Sequence, residues 1–389
     1  MPMKIIKIFI FCFFLLFYTG NTSSPSRGRE AIDVVLCLDL SGSTNGLLDD
    51  VREKLWDIVN QVNSYRPAPE LRIGVVAFSR PSFGAKSGYV KVLQNLTSDF
   101  DQLSFELYKL KPTIEKGDQL VGEALRVSVK QMNWSDDNDA LKIIYLVGNG
   151  RVNSGGDNYR DACELASDKK IIVNTLYCRT RNNADKELPG WREIARLSGG
   201  EQYDMKIHKR TPLVLTSTNI PEFKELAGKL NSTYLYYGVN GAERYKMMAN
   251  IDKNALLANE MTFESRLFYK ISDRYQFHQQ NWDLIDYIKM TNSNLETLEM
   301  TLLPDSLKFK TPEYVRNTAL NLKEKRTKTI SDLRRHIPYD RQITINKRLE
   351  SRDIDRADIF ERIVIQDLNR RAAEKGFTTG TSANIEFRR

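Results

Sequence analysis

A chain of 389 residues is long enough for two ordinary domains. Hydrophobic residues at 41% and charged residues at 28% are the proportions of a soluble globular protein, and the net charge is +8. Four cysteines are too few for a disulfide scaffold, and three dispersed histidines (His208, His278, His336) argue against a His-ligated zinc site or a His-dependent hydrolase.

The chain opens on a short basic end. Lys4 and Lys7 lead into an apolar run, IFIFCFFLLFY from Ile8 to Tyr18, and a small polar stretch, TGNTSSPS, follows. Basic end, apolar centre and small-residue exit make the secretory pattern. The run is shorter than the roughly 20 apolar residues of a spanning helix. Because no A-x-A-like cleavage site stands after it, two readings remain for residues 1–30, a signal peptide or an uncleaved N-terminal anchor. Either one exports the rest of the chain to the periplasm, the cell surface or the medium, the second with membrane association. Cys12 lies inside the apolar run without small residues before it, which does not support a lipoprotein site. Four N-x-S/T sequons, at Asn21, Asn95, Asn133 and Asn231, matter only in a eukaryotic secretory route.

From residue 31 to 205, strand-like and helix-like segments alternate. IDVVLCL (Ile32–Leu38) is a nearly continuous apolar run, as in a strand buried on both faces. Leu48, Val51, Leu55, Ile58, Val59 and Val62 then recur at spacings of three and four, a helical stripe. IGVVAF (Ile73–Phe78) reads as a second buried strand and YVKVL (Tyr89–Leu93) as an edge strand. Asp118 to Met132 reads as a helix, KIIYLV (Lys142–Val147) as a strand, Tyr159 to Ser167 as a helix and IIVNTLYC (Ile171–Cys178) as a strand. PGWREIARLSGG adds a helix with Pro near its start and a Gly-Gly stop. The pattern predicts a doubly wound α/β fold with a mainly parallel sheet, and ligands of such folds sit at the carboxyl ends of the strands.

At the end of the first strand stands D-L-S-G-S, with Asp39, Ser41 and Ser43. This segment resembles the start of the metal-ion-dependent adhesion site of von Willebrand factor A (vWA) domains, D-x-S-x-S directly after strand one. The bare pattern is weak; its place between a first strand and a helix makes it specific. Mg²⁺ prefers a near-octahedral shell of hard oxygens and gives up its waters reluctantly. Serine hydroxyls can coordinate it while the aspartate binds through water or steadies the shell, leaving one position for a partner's carboxylate. The resemblance implies Mg²⁺, or Mn²⁺ or Ca²⁺ in its place.

The remaining positions of the family match less closely. Its second loop supplies a ligand, usually Thr, and the corresponding loop here is EKGDQLVGEAL. Asp118 is the candidate, with Gln119 next in line; the alternative for Asp118 is a helix N-cap. The third loop usually carries Asp, where LVGNGR places Asn149, which keeps a carbonyl oxygen and loses the charge. Lower cation affinity is expected, with Asp118 offsetting the loss. VGEAL, the LVGN loop with YRDAC after it, VNTLYC and GWREIARLSGGE also resemble exported bacterial proteins that carry a vWA domain.

Cys163 and Cys178 could form a disulfide if their Cα atoms come within roughly 7 Å, or they are two buried free thiols. Cys37 falls in the first strand and is expected in the core.

Beyond about Lys206 strand signals nearly vanish. Residues 206–221 read as a linker, 222–377 as an all-helical domain forming an elongated bundle or hairpin, and 378–389 as a flexible tail. Helices are expected around FKELAGKL, through AERYKMMANIDKNALLANEMTFESRLFYKISDRY, in NWDLIDYIK, from Pro312 onward, and through Phe360, Ile363, Val364 and Leu368. Between Asp305 and Arg389 basic residues exceed acidic ones by seven. The signs alternate along the helices, a solvated surface with intrahelical ion pairs, and no aromatic residues interleave with the basic runs; nucleic acid is not an expected partner. The sequence therefore predicts a non-enzymatic module that binds a protein partner through its metal site. A metal-independent assembly scaffold, oligomerising through its helices, is the alternative.

Overall fold

The computed structural model describes residues 31–111, 114–155, 158–179, 184–205, 207, 220–290, 298–350 and 360–378. The expected export segment, most of the linker and all of the tail except Thr378 lie outside them. No helix among the described residues is long and apolar enough to cross a membrane.

The apolar runs of the first half become strands. β1 (Ala31–Asp39), β2 (Glu70–Phe78), β3 (Lys91–Thr97), β4 (Leu141–Gly148), β5 (Ile171–Cys178) and β6 (Gln202–Met205) form one sheet in the order β3-β2-β1-β4-β5-β6. All neighbours are parallel except β3, which runs antiparallel on its edge. The strand order reverses between β1 and β4, and that reversal opens a crevice at the carboxyl ends of these strands. Every residue of β4 is buried, as is every residue of β1 after Ala31. Side chains in β1 alternate between faces: Ile32, Val34, Leu36 and Leu38 pack one way, Val35 and Cys37 the other.

Five helices follow the strands of the first half: α1 (Leu47–Asn63), α2 (Phe100–Lys109), α3 (Val121–Lys130), α4 (Tyr159–Asp168) and α5 (Ala184–Leu197). Helices α3, α4 and α5 cover one face through Val121, Leu125, Cys163, Trp191 and Ile194. Helix α3 begins at Val121, later than the expected Asp118. Helix α2 and strand β6 are additions to the pattern read from sequence. Asp99 caps α2 by accepting from the Gln102 backbone N–H at 3.0 Å.

The second half supplies α6 (Ile220–Asn231), α7 (Gly241–Ala258), α8 (Glu260–Lys270), α9 (Asp273–Gln279), α10 (Leu284–Met290), α11 (Asp305–Lys308), α12 (Pro312–Glu350) and α13 (Phe360–Glu374), and all of these except α10 and α11 join α1 and α2 in the core on the opposite face. The long helix-forming run after Gly241 is interrupted at Asn259, whose side chain accepts from the Thr262 N–H at 2.9 Å and starts α8. One hydrophobic core runs without a break from β1 and α1 into α6, α7, α8 and α13. The helical half thus packs onto the sheet domain rather than standing off as an elongated bundle. A smaller cluster joins α10 and α11 to the start of α12 through Leu284, Ile288, Leu307 and Val315.

Helix α13 closes the sheet over β4 and β5. Its Asp367, fully buried, accepts from the Tyr145 hydroxyl of β4 at 2.8 Å, Asn174 Nδ2 of β5 at 2.5 Å and Arg371 Nε at 2.9 Å. Asn369 accepts from Tyr65 at 2.7 Å, and Thr378 pairs with Arg66 through two backbone hydrogen bonds of 2.7 and 3.0 Å. A second buried network fastens α8 to α2 and α7. Arg266, 1% exposed, pairs with Asp101 at 2.6 Å and Asp252 at 2.9 Å and lies over the Trp56 ring of α1 at 4.6 Å. Lys270 joins the same Asp252 at 2.5 Å.

Cys37, Cys163 and Cys178 are free and buried. Cys163 packs on the α3–α5 face and Cys178 on the α1 face, so the sheet separates the two thiols.

Candidate functional site

Asp39 is the last residue of β1, at the reversal of strand order. Gly148 at the end of β4 makes room for it: a Cβ there would stand 2.4 Å from the Asp39 Cβ. Asp39 Oδ1 accepts from the Ser41 N–H at 2.9 Å, which turns the chain back over the carboxylate. Thr44 tightens the turn, its hydroxyl 2.6 Å from the Asp39 carbonyl and 3.1 Å from that of Ser41. Burial pushes the Asp39 carboxyl above its ordinary value, against the pull of backbone hydrogen bonds from Ser41 and Asn149. An ionised Asp39 therefore favours positive charge beside it.

The turn presents two hydroxyls. Ser41 Oγ and Ser43 Oγ lie 2.8 Å apart, and Ser43 donates to Asn149 Oδ1 at 2.9 Å. Asn149 follows β4 directly and is held at its other end, where Nδ2 donates to the Cys178 carbonyl at 3.2 Å. That bond gives a physical reason for an amide at a position where the vWA pattern has Asp. A carboxylate could not donate to the Cys178 carbonyl, whereas the amide does so and turns its oxygen towards Ser43 and Gln119.

The second loop reaches the site through a lone parallel bridge between Ser41 and Glu115. It brings Gln119, not Asp118, into the cluster. Gln119 Nε2 lies 2.9 Å from Asp39 Oδ2, 3.1 Å from each of Ser41 Oγ and Ser43 Oγ, and 2.6 Å from Asn149 Oδ1. Asp118 is exposed and makes no hydrogen bond to these residues. Nor does it cap α3, whose N-cap is Leu120 without a side-chain bond. Asp39, Ser41, Ser43 and Asn149 are thus brought together, and Asp118 is not. Thr44 and the Cys178 carbonyl complete the arrangement. The Thr directly after D-x-S-x-S was a visible signal for the first; a backbone carbonyl leaves no mark in sequence.

One carboxylate, two hydroxyls and one amide carbonyl surround a single point. All four are hard oxygen donors of the kind Mg²⁺, Mn²⁺ and Ca²⁺ accept. They fit such an ion, with Asp39 as the one anionic member. Among the described residues no group of three or more His, Cys, Asp or Glu could hold a metal, so a charge-rich cage is not the alternative. The Gln119 Nε2 stands at that point as a hydrogen-bond donor to the four oxygens.

Residues 33–196 match the family model of the von Willebrand factor type A domain. Among solved structures, proximal thread matrix protein 1 from the mussel byssus is similar at 15% identity and a TM-score of 0.34, over 46% of this chain and 42% of its own. An aerotolerance-related membrane protein from Bacteroides fragilis is similar at 15% identity and a TM-score of 0.31, over 45% of this chain and 91% of its own. A von Willebrand factor type A protein from Catenulispora acidiphila is similar at 15% identity and a TM-score of 0.34, over 46% and 39%. This chain therefore spans about two fifths of the mussel protein's length. A search of curated proteins finds no match.

Proposed function

Because residues 33–196 are a von Willebrand factor type A domain, a module that generally mediates protein–protein interaction, we propose that the protein is an exported binding protein that grips its partner through a divalent cation. The observation that supports this reading is the convergence of Asp39, Ser41, Ser43 and Asn149 at the carboxyl ends of β1 and β4. Mg²⁺ or Mn²⁺ held by those oxygens would supply an electrophilic position for a carboxylate on the partner. The chain's own contribution is rigidity. Thr44 fixes the turn, Cys178 orients Asn149, and Gly148 admits Asp39 between strand ends.

The proposed role requires no covalent step. The groups around Asp39 are hydroxyls and amides, and burial pushes the Cys37 and Cys163 thiols up to about 12. Export rests on the basic and apolar pattern of residues 1–30. The metal-independent scaffold remains the second reading, favoured by one observation: Gln119 already donates into the oxygen cluster.

Calorimetric titration of Mg²⁺ and Mn²⁺ into the full chain, with Asp39→Ala alongside, separates the two. Saturable binding that disappears in the variant supports the cation-dependent reading. A folded wild-type chain and a folded Gln119→Ala variant titrated in the same way, both ignoring millimolar ion, would leave the scaffold.

A further inference from the structure

Gln119 stands where the cation would go. Its Nε2 lies within 2.6–3.1 Å of four oxygens from two separate segments, the turn after β1 and the end of β4. A carboxamide nitrogen carries two hydrogens and can satisfy only two of those acceptors at once. The cluster is therefore arranged around a point of positive charge, more than around a two-armed donor.

The orientation of the amide has a cause. With oxygens on one side, the nitrogen must face them, and Oε1 falls towards Gly150. A Cβ at Gly150 would stand 2.5 Å from that oxygen, so the bare backbone at φ +96° leaves the slot in which Oε1 lies. Gln119 also sits in a non-helical stretch between exposed Asp118 and the first turn of α3 at Val121. Its side chain can leave by rotating about its own bonds without unwinding the helix.

We propose that Gln119 is an internal competitor for the divalent cation: its carboxamide occupies the ion's place in the metal-free protein, and ion binding is an exchange in which the carboxamide moves out. The proposal rests on the cation-dependent reading above. In a protein whose binding-competent form is only part of the population, apparent affinity falls by that fraction. Gln119 therefore sets how much free Mg²⁺ is needed before the domain can take a partner carboxylate. It also gives the cluster a further donor in ion-poor surroundings, beside the bonds that the Ser41 and Ser43 hydroxyls already make.

The test uses the full chain as wild type, Gln119→Ala, Gln119→Thr and Asp39→Ala. Mg²⁺ and Mn²⁺ binding is measured by calorimetry, and melting temperature is read with and without ion. Removing the competitor is expected to tighten Mg²⁺ binding about tenfold or more. Metal-free Gln119→Ala should melt below wild type, and saturating Mg²⁺ should close that gap. Binding by the Gln119 variants with none by wild type would support the exchange equally. Wild-type binding that stays equal or weakens in both Gln119 variants would overturn the exchange while leaving the cation site standing, because Gln119 would then be a bystander or a ligand through Oε1. Absence of binding in wild type and both Gln119 variants, all folded, would overturn the cation reading and the exchange together.

Discussion

The two faces of the sheet are covered in different ways. Helices α3, α4 and α5 each lie close in sequence to the strands they cover, and the cluster beneath them is apolar, from Val35 and Ile144 to Trp191. The opposite face takes α1 and α2 from nearby but depends on α8 and α13 from far along the chain. Those distant helices are fastened by buried ions, Asp367 with Arg371 and Arg266 with Asp101 and Asp252. Local cover needs only shape and hydrophobicity. Distant cover here adds buried charges whose partners on other elements, Tyr145 and Asn174 for Asp367 and Asp101 for Arg266, are met in one register alone.

The sharpest way to break this comparison is to delete residues 360–378. A shortened chain loses the cover over β4 and β5, including Phe360, Ile363, Val364 and Leu368, each worth about 1.5–3 kcal/mol when buried. No cooperative urea transition is expected, whereas a transition like that of the full chain would show α13 to be dispensable. Next comes Asp367→Ala, which strands Arg371 in the interior and should cost about 3–5 kcal/mol by urea unfolding. A loss below about 1 kcal/mol would mean that the network holds no register.

A pH dependence should mark the helical half. Arg326 on α12 pairs with both Asp283 at 2.5 Å and Asp286 at 3.2 Å in a buried site. Burial, together with the Asp283 charge, pushes Asp286 up to about 7, against the pull of Arg326. An unfolded Asp titrates near about 3.9. Between these values the folded protein keeps a proton that the unfolded chain has released. The stabilisation from this group is therefore full below about pH 4 and is lost as pH rises to about 7. Asp286→Asn should flatten the fall in unfolding free energy between about pH 4 and 7. An unchanged slope would place the proton elsewhere.

The smallest effects compare neighbours on one strand. Tyr145 faces α13 and donates to Asp367, while Ile144 faces the α3–α5 side. Tyr145→Phe should cost about 1.5–3 kcal/mol, the loss of a hydrogen bond to a buried charge. Ile144→Val should cost about 0.5–1.5 kcal/mol, the loss of one methylene. Equal costs in urea titrations would erase the distinction between the two faces.

The same contrast explains what could be read from sequence. Strands β1, β2, β4 and β5 were legible because burial on both faces demands unbroken apolar runs. Strand β6 was not, since QYDM is four residues long and largely half-buried at the sheet edge. Helix α2 escaped because its ten residues follow an edge strand with only the Asp99 cap as a signal. The apolar stripe of α13 was plain, but a stripe says that a face is covered and not by what. At the site, D-x-S-x-S placed Asp39, Ser41 and Ser43 correctly at the strand end, and Asn149 after β4 was equally readable. The choice between Asp118 and Gln119 was not, because charge favoured one and the direction of the loop favoured the other.

Helix α13 also sets a clock. Strand β5 ends at Cys178 and α13 begins at Phe360, so synthesis runs through the intervening segment before the helix exists. At ribosomal speeds of roughly 5–20 residues per second, that interval lasts on the order of ten to forty seconds. Throughout it, the nascent sheet carries an open apolar flank over β4 and β5. The native fold is completed only late in translation or after it, and a chain paused midway would be a natural client for a chaperone.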